Sequence, residues 1–218
     1  MKKKGLQKRV TSVQRIGALR IACTYRTVSS AAVMVIASTV PIAFLARERR
    51  ERFLAAGEGS DAERRVESVR MWQSDWDAED VGRWTYRLIP ELRPWLERSH
   101  GEINFYLTQL LSGHGQSNAY LHRMGVKASS RCDYCPAEDD TAEHTFFGCR
   151  RWHQQQQMLG DRLGMIPTPE NIVSAMLHDR DAWRAIDDFA QSVIREKKQE
   201  EGLVEIPRPS TTGRARES

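Results

Sequence analysis

Cysteine is scarce in this 218-residue chain, four in all, and three of the four fall within an eighteen-residue stretch. So few thiols, so placed, exclude a disulfide framework and point to a reducing compartment, nuclear or cytoplasmic and not secreted. Long apolar runs are missing too. The most apolar stretch, Ala31 to Ala46, has sixteen residues and is interrupted by Ser38, Thr39 and Pro41, short of the roughly 20 needed to cross a bilayer. Lys2, Lys3 and Lys4 look like the start of a signal peptide, but Arg15, Arg20 and Arg26 lie between them and that run, the wrong order for such a leader. No membrane partner is expected. Catalytic signatures are equally absent: no glycine-rich phosphate cradle, no G-x-S-x-G elbow and no paired-aspartate polymerase motif. His100, His114, His122, His153 and His178 have no nucleophile or carboxylate at a diagnostic spacing. The residues alone display no active site, and the chain by itself is not expected to be an enzyme.

What is present is a C-x₂-C-x₈-H-x₄-C array formed by Cys132, Cys135, His144 and Cys149. Three thiols and an imidazole can surround one Zn²⁺ tetrahedrally, and a two-residue gap suits two sulfurs gripping a metal from one turn. Four ligands leave no position for water, so the expected zinc is structural. His144 and Cys149 are five apart, a spacing that a helix accommodates with modest distortion. Zinc binding in such small peptides contributes about 10–16 kcal/mol, which helps offset the ordering of a loop with little apolar bulk. The competing reading is ordinary buried cysteines beside an incidental histidine. Tyr134, Phe147 and Trp152 are candidate stacking platforms for unpaired bases, with Arg131, Arg150 and Arg151 for phosphate. Asp133, Glu138, Asp139, Asp140 and Glu143 neutralise that charge locally, so a structural clip and a binding surface both remain open.

Charge is unevenly spread. Residues 1–54 hold twelve Lys/Arg against two Asp/Glu, leaving 21 basic and 27 acidic side chains for the rest. A cationic amino-terminal quarter suits a polyanion such as RNA or single-stranded DNA, with Arg15, Arg20 and Arg26 as candidate contacts; a solvated helix face is the plainer reading.

The periodicity predicts a mostly α fold: an irregular helical bundle with a small Cys-Cys-His-Cys zinc knuckle and a short β-hairpin at the knuckle. A basic helical segment spans 1–56. It has a helix over about 12–25 carrying Val13, Ile16, Leu19 and Cys23 on one face, a helix opened by Ser29 or Ser30, and another beginning at Pro41. A linker follows at 57–62, then a tryptophan-rich helical region at 63–129. Its Trp72, Trp76, Trp84 and Trp95 are read as core, and Asp75, Asp77, Glu79 and Asp80 as a loop and a helix start. The knuckle occupies 130–152 and carboxy-terminal helices 153–200. One continuous helix is expected over 143–163, and a last amphipathic one over about 180–198 buries Trp183, Ile186, Phe189, Ala190, Val193 and Ile194. The tail, 201–218, reads as disordered.

The ordered series VQRIGALRIACTYRTVSSAA (13–32), VPIAFLARERR (40–50), GRWTYRLIPELRPWLER (82–98), HGEINFYLTQLLSGHGQSNAYLHRMG (100–125) and CDYC…DTAEHTFFGCRRW (132–152) resembles the carboxy-terminal region of non-LTR (LINE-type) retrotransposon reverse transcriptase polyproteins. It is closest to the type-1 elements that insert in ribosomal RNA genes, over about residues 7–198. The resemblance implies that residues 1–56 correspond to thumb-side helices following a polymerase palm. It also implies that Cys132, Cys135, His144 and Cys149 are zinc ligands and that the module engages element RNA or target DNA. The family's palm and endonuclease have no counterpart here, so this chain alone is expected neither to synthesise nor to cut DNA. Two other readings follow from the same resemblance: a structural or protein-interaction module docking to the reverse transcriptase domain, or part of a longer RNA-directed DNA polymerase.

Overall fold

In a computed structural model, the structure describes residues 2–54, 59–136 and 138–200. Helices dominate: α1 (Lys2–Ile21), α2 (Ser30–Ile36), α3 (Ile42–Leu54), α4 (Asp61–Ala78), α5 (Arg83–Leu88), α6 (Leu92–Glu97), α7 (Phe105–Ser112), α8 (Asn118–Arg123), α9 (His153–Leu163), α10 (Ile172–His178) and α11 (Arg180–Glu200). The caps follow local chemistry. Ser29 Oγ accepts from the Ala32 amide to open α2. Ser60 and Glu63 form a reciprocal capping box at α4, so α4 begins inside the expected linker; Gly57 and Glu58 lie outside the described residues, as does the expected disordered tail. Asn104 Oδ1 accepts from the Tyr106 and Leu107 amides at the start of α7, and Gly113, at φ 70°, closes that helix in the left-handed conformation.

The tryptophans are struts of the core. Trp76, Trp95 and Trp152 are fully buried. Trp76 Nε1 donates to the Ile89 carbonyl at 2.9 Å, Trp84 Nε1 to Leu110 at 2.7 Å and Trp95 Nε1 to Val35 at 2.8 Å. Each indole thereby satisfies its polar edge while its ring fills space between distant segments. Trp183 of α11 stacks on Trp95 at 5.7 Å. Gly101, at φ +86°, lies so close beneath Trp183 that a Cβ there would come within 2.2 Å of the ring, leaving glycine as the residue that fits. The expected inward face of α11 is buried as read, against α7, α9 and α10.

Several expectations change. The β-hairpin reduces, among the described residues, to one antiparallel bridge between Arg131 and Asp139, because the metal turn leaves too few paired residues to extend a ladder. The helix expected over 143–163 is broken into a π turn (His144–Gly148), a 3₁₀ turn (Arg150–Trp152) and α9. Asp75 and Asp77 sit in the last turn of α4 and not at a helix start. α1 extends back to Lys2, and of the face read from its sequence only Leu19 is buried; Val13, Ile16 and Cys23 are exposed.

Candidate metal centre

The first two cysteines are set on a tight turn. Cys132 N–H donates to the Glu138 carbonyl at 2.9 Å, Glu138 N–H to Cys135 at 3.1 Å, and Asp140 N–H to Ser130 at 2.8 Å. The other two ligands come from the π turn, whose entry is held by Thr141 Oγ1 accepting from the His144 amide at 3.1 Å. At about 100° per residue, five positions on an α-helix end about 140° out of line. The i→i+5 bond from Cys149 N–H to the His144 carbonyl, 2.7 Å, widens the turn instead. That local distortion lets His144 and Cys149 converge.

The ligand atoms of Cys132, Cys135, His144 and Cys149 all lie within 4.8 Å of one another. Cys149 Sγ is 3.7 Å from Cys132 Sγ and 3.9 Å from Cys135 Sγ. A tetrahedral centre with metal–sulfur bonds of about 2.3 Å separates its sulfurs by about 3.8 Å. All three cysteines are buried and free of disulfides, and His144 Nε2 is buried without a hydrogen-bond partner among the described residues. These are the marks of a site whose donors point at a common centre, and the residues fit a tetrahedral ion. Burial, with the neighbouring Cys132 and Cys135 sulfurs, pushes the Cys149 thiol up to about 12; a bound dication reverses that preference because coordinated thiols deprotonate. The Tyr134 amide donates to Cys132 Sγ at 3.4 Å, stabilising charge on that sulfur.

The centre is tied to α11 by groups whose role sequence reading missed. Asp140 and Lys197 form an ion pair, both essentially inaccessible. Asp140 also accepts from the Asn118 amide at 2.7 Å and from Thr145 Oγ1 at 2.6 Å, and Lys197 Nζ donates to Thr145 Oγ1 at 3.2 Å. A buried carboxylate is tolerable only with such satisfaction. In the sequence Asp140 is legible only as one of several acidic residues beside the knuckle. Lys197 carried a signal: it continues the α11 apolar face at four and three residues beyond Val193 and Ile194. Tyr134 Oη donates to Glu200, and Arg151 pairs with Glu200 and with Glu196 at 3.6 Å.

The candidate nucleic-acid contacts separate into groups. Arg131, Tyr134, Phe147 and Arg150 line one open groove of about 1070 Å³ over the metal centre, with Glu138, Asp139 and Glu143 on its walls. Trp152 is fully buried, so its ring is filled against protein and offers no face to a base. Arg151 lies 4.7 Å over Trp152 and is held by two glutamates. Arg15 is turned inward, donating to the carbonyls of Arg26 and Val28 at 2.8 and 2.7 Å, and so fixes the α1–α2 turn. Arg20 and Arg26 are exposed and do not line the groove.

The relatives agree in kind. The chain is 28% identical over 124 residues (57% of this chain, 12% of the relative) to the retrovirus-related Pol polyprotein from type-1 retrotransposable element R1 of Bradysia coprophila. It is 24% identical over 201 residues (83% and 50%) to that of element R1 4 of Nasonia vitripennis. It is 25% identical over 215 residues (88% and 21%) to a putative 115 kDa protein in element R1DM of Drosophila melanogaster. No family model and no solved structure matches. The chain, spanning half or less of the length of these relatives, is thus related to the Pol polyproteins of type-1 R1 (non-LTR) retrotransposable elements.

Proposed function

We propose that this chain is a zinc-stapled, nucleic-acid-binding module of a type-1 retrotransposon Pol polyprotein, acting by binding and not by catalysis. Three sulfurs and an imidazole favour Zn²⁺ over harder cations, and four protein donors complete its tetrahedron, so the ion's role here is to hold the turn. In the parent polyprotein, read as an RNA-directed DNA polymerase, the module would present element RNA or unpaired target DNA to the polymerase.

The observation that carries this reading is the groove over the centre, where Arg131 and Arg150 stand beside the rings of Tyr134 and Phe147. A cation for phosphate next to a ring for a base is the pairing that single-strand binders use. Glu138, Asp139 and Glu143 offset those cations, so stacking is the larger contribution. Exposed Arg26 is a candidate phosphate contact outside the groove; Arg151 and Trp152 support the scaffold that shapes the groove, Arg15 fixes the α1–α2 turn, and Arg20 lies on the outer face of α1, apart from this surface.

Fluorescence anisotropy with a short single-stranded RNA tests the reading. Phe147→Leu should weaken binding about tenfold, within the roughly 1–3 kcal/mol of one stacked base. Arg131→Ala with Arg150→Ala should flatten the log–log salt dependence by about 1.4, two single-strand phosphates at about 0.7 each. Binding that ignores all three substitutions would remove the groove from consideration.

A further inference from the structure

α1 has two faces, and only one packs against other described residues. Ala18, Leu19 and Ala22 pack into the body, and Gln14 clamps the start of α3 by donating to the Val40 carbonyl and accepting from the Ile42 amide, both at 2.8 Å. On the opposite side, Val10, Val13 and Ile21 are 38%, 68% and 58% exposed, and Ile16 beside them is 52% exposed. Val10, Val13, Gly17 and Ile21 recur at i, i+3, i+7 and i+11, which places them within about 80° of arc on an α-helix. Gly17 sits in mid-stripe with nothing within 4 Å of where a Cβ would be, a point where another backbone can come close. Spacings of three and four are those of a helix-pairing seam. β-branched side chains so aligned have no use for water.

The charge around this stripe selects the occupant. Residues 2–21 contain Lys2, Lys3, Lys4, Lys8, Arg9, Arg15 and Arg20 and no acidic residue. Arg9 and Arg20 border one edge of the stripe, between Val13 and Ile16, exposed and without an acidic partner among the described residues. A second copy would bring an equally cationic helix against it, which opposes self-pairing. Nucleic acid would answer the arginines but not four aliphatic side chains. We propose that the outer face of α1 docks an acidic amphipathic helix of another polypeptide or protein domain. The partner's apolar seam would cover Val10, Val13, Gly17 and Ile21, and its carboxylates would face Arg9 and Arg20. This face is separate from the knuckle groove, and its assignment stands whether or not the groove binds RNA.

The test uses the full chain, zinc-loaded and free of RNA, with two probe peptides of about three heptads. Both have leucine along the seam; one carries glutamate at the flanking positions and the other lysine. The acidic peptide should bind at least about tenfold more tightly, as complementary flanking charge requires. Val13→Ser with Ile16→Ser should abolish that binding with the circular dichroism spectrum unchanged, since both side chains are at the surface. Arg9→Glu with Arg20→Glu should invert the preference towards the basic peptide, a gain that misfolding cannot imitate. Equal binding of the two peptides, or of neither, would overturn the proposal. So would self-association that the serine variants abolish, which would assign the face to a second copy. Loss of RNA affinity in those variants, with both peptides ignored, would assign it to nucleic acid.

Discussion

At the knuckle, Lys197 is buried against Asp140, Arg151 is held by Glu196 and Glu200, and Tyr134 donates to Glu200. On α1, Arg9 and Arg20 face solvent beside aliphatic side chains that no part of the described chain covers. Both regions carry charge, of both signs at the knuckle and of one sign on α1, and put it to opposite use. Around the candidate metal centre, charge is internal and holds elements that are tens of residues apart; at Arg9 and Arg20 of α1 it is external and available. A buried pair is costly to form and more costly to break, whereas an exposed cation contributes little to stability and is retained for what it meets.

The sharpest way to break this contrast is to remove the metal. Chelation withdraws a centre worth about 10–16 kcal/mol of binding. It should strip amide-exchange protection from residues 130–152 and the last turns of α11 while α2 and α4 keep theirs. Uniform loss across the chain would mean the two regions are not separable. Next in size, Lys197→Met leaves the Asp140 carboxylate buried without its counter-charge and should cost about 3–5 kcal/mol by urea denaturation. Arg20→Met on α1 should stay within about 0.5 kcal/mol. Equal costs would erase the distinction. A last test concerns a half-buried histidine outside both regions. His114, whose Nδ1 lies 3.0 Å from Thr27 Oγ1, is lowered from 6.5 to about 4 by burial and by Arg123. Its neutral form is the folded one, so its stability contribution is complete above pH 6.5 and is lost as pH falls towards 4. His114→Gln should flatten that part of the stability profile; an unchanged acid limb would place its origin elsewhere.

Legibility followed distance along the chain. The cluster of Cys132, Cys135, His144 and Cys149 was readable because metal-type spacing is local, and the face of α11 because apolar residues recur at helical period over twenty residues. The break at the π turn was half-readable: a five-residue gap between ligands demands distortion, but whether bending or widening supplies it depends on the Cys149–His144 hydrogen bond. Trp152 was misread as a platform, since a tryptophan in a cationic motif looks the same whether its ring lies outside or beneath the chain. The face of α1 was read from period alone, and the body packs against Ala18, Leu19 and Ala22 instead.

The sequence by itself determined that this protein is helical, that three thiols and an imidazole are spaced as metal-binding groups are, and that its amino-terminal quarter is cationic. All three rest on spacing and composition within a few turns of chain. Tertiary structure alone decided which arginines and aromatics reach solvent, that Asp140 and Lys197 meet across 57 residues, and that α1 keeps a stripe which no other described residue covers. Those outcomes depend on which surfaces pack against one another, and burial is a property of the assembled chain that no local pattern contains.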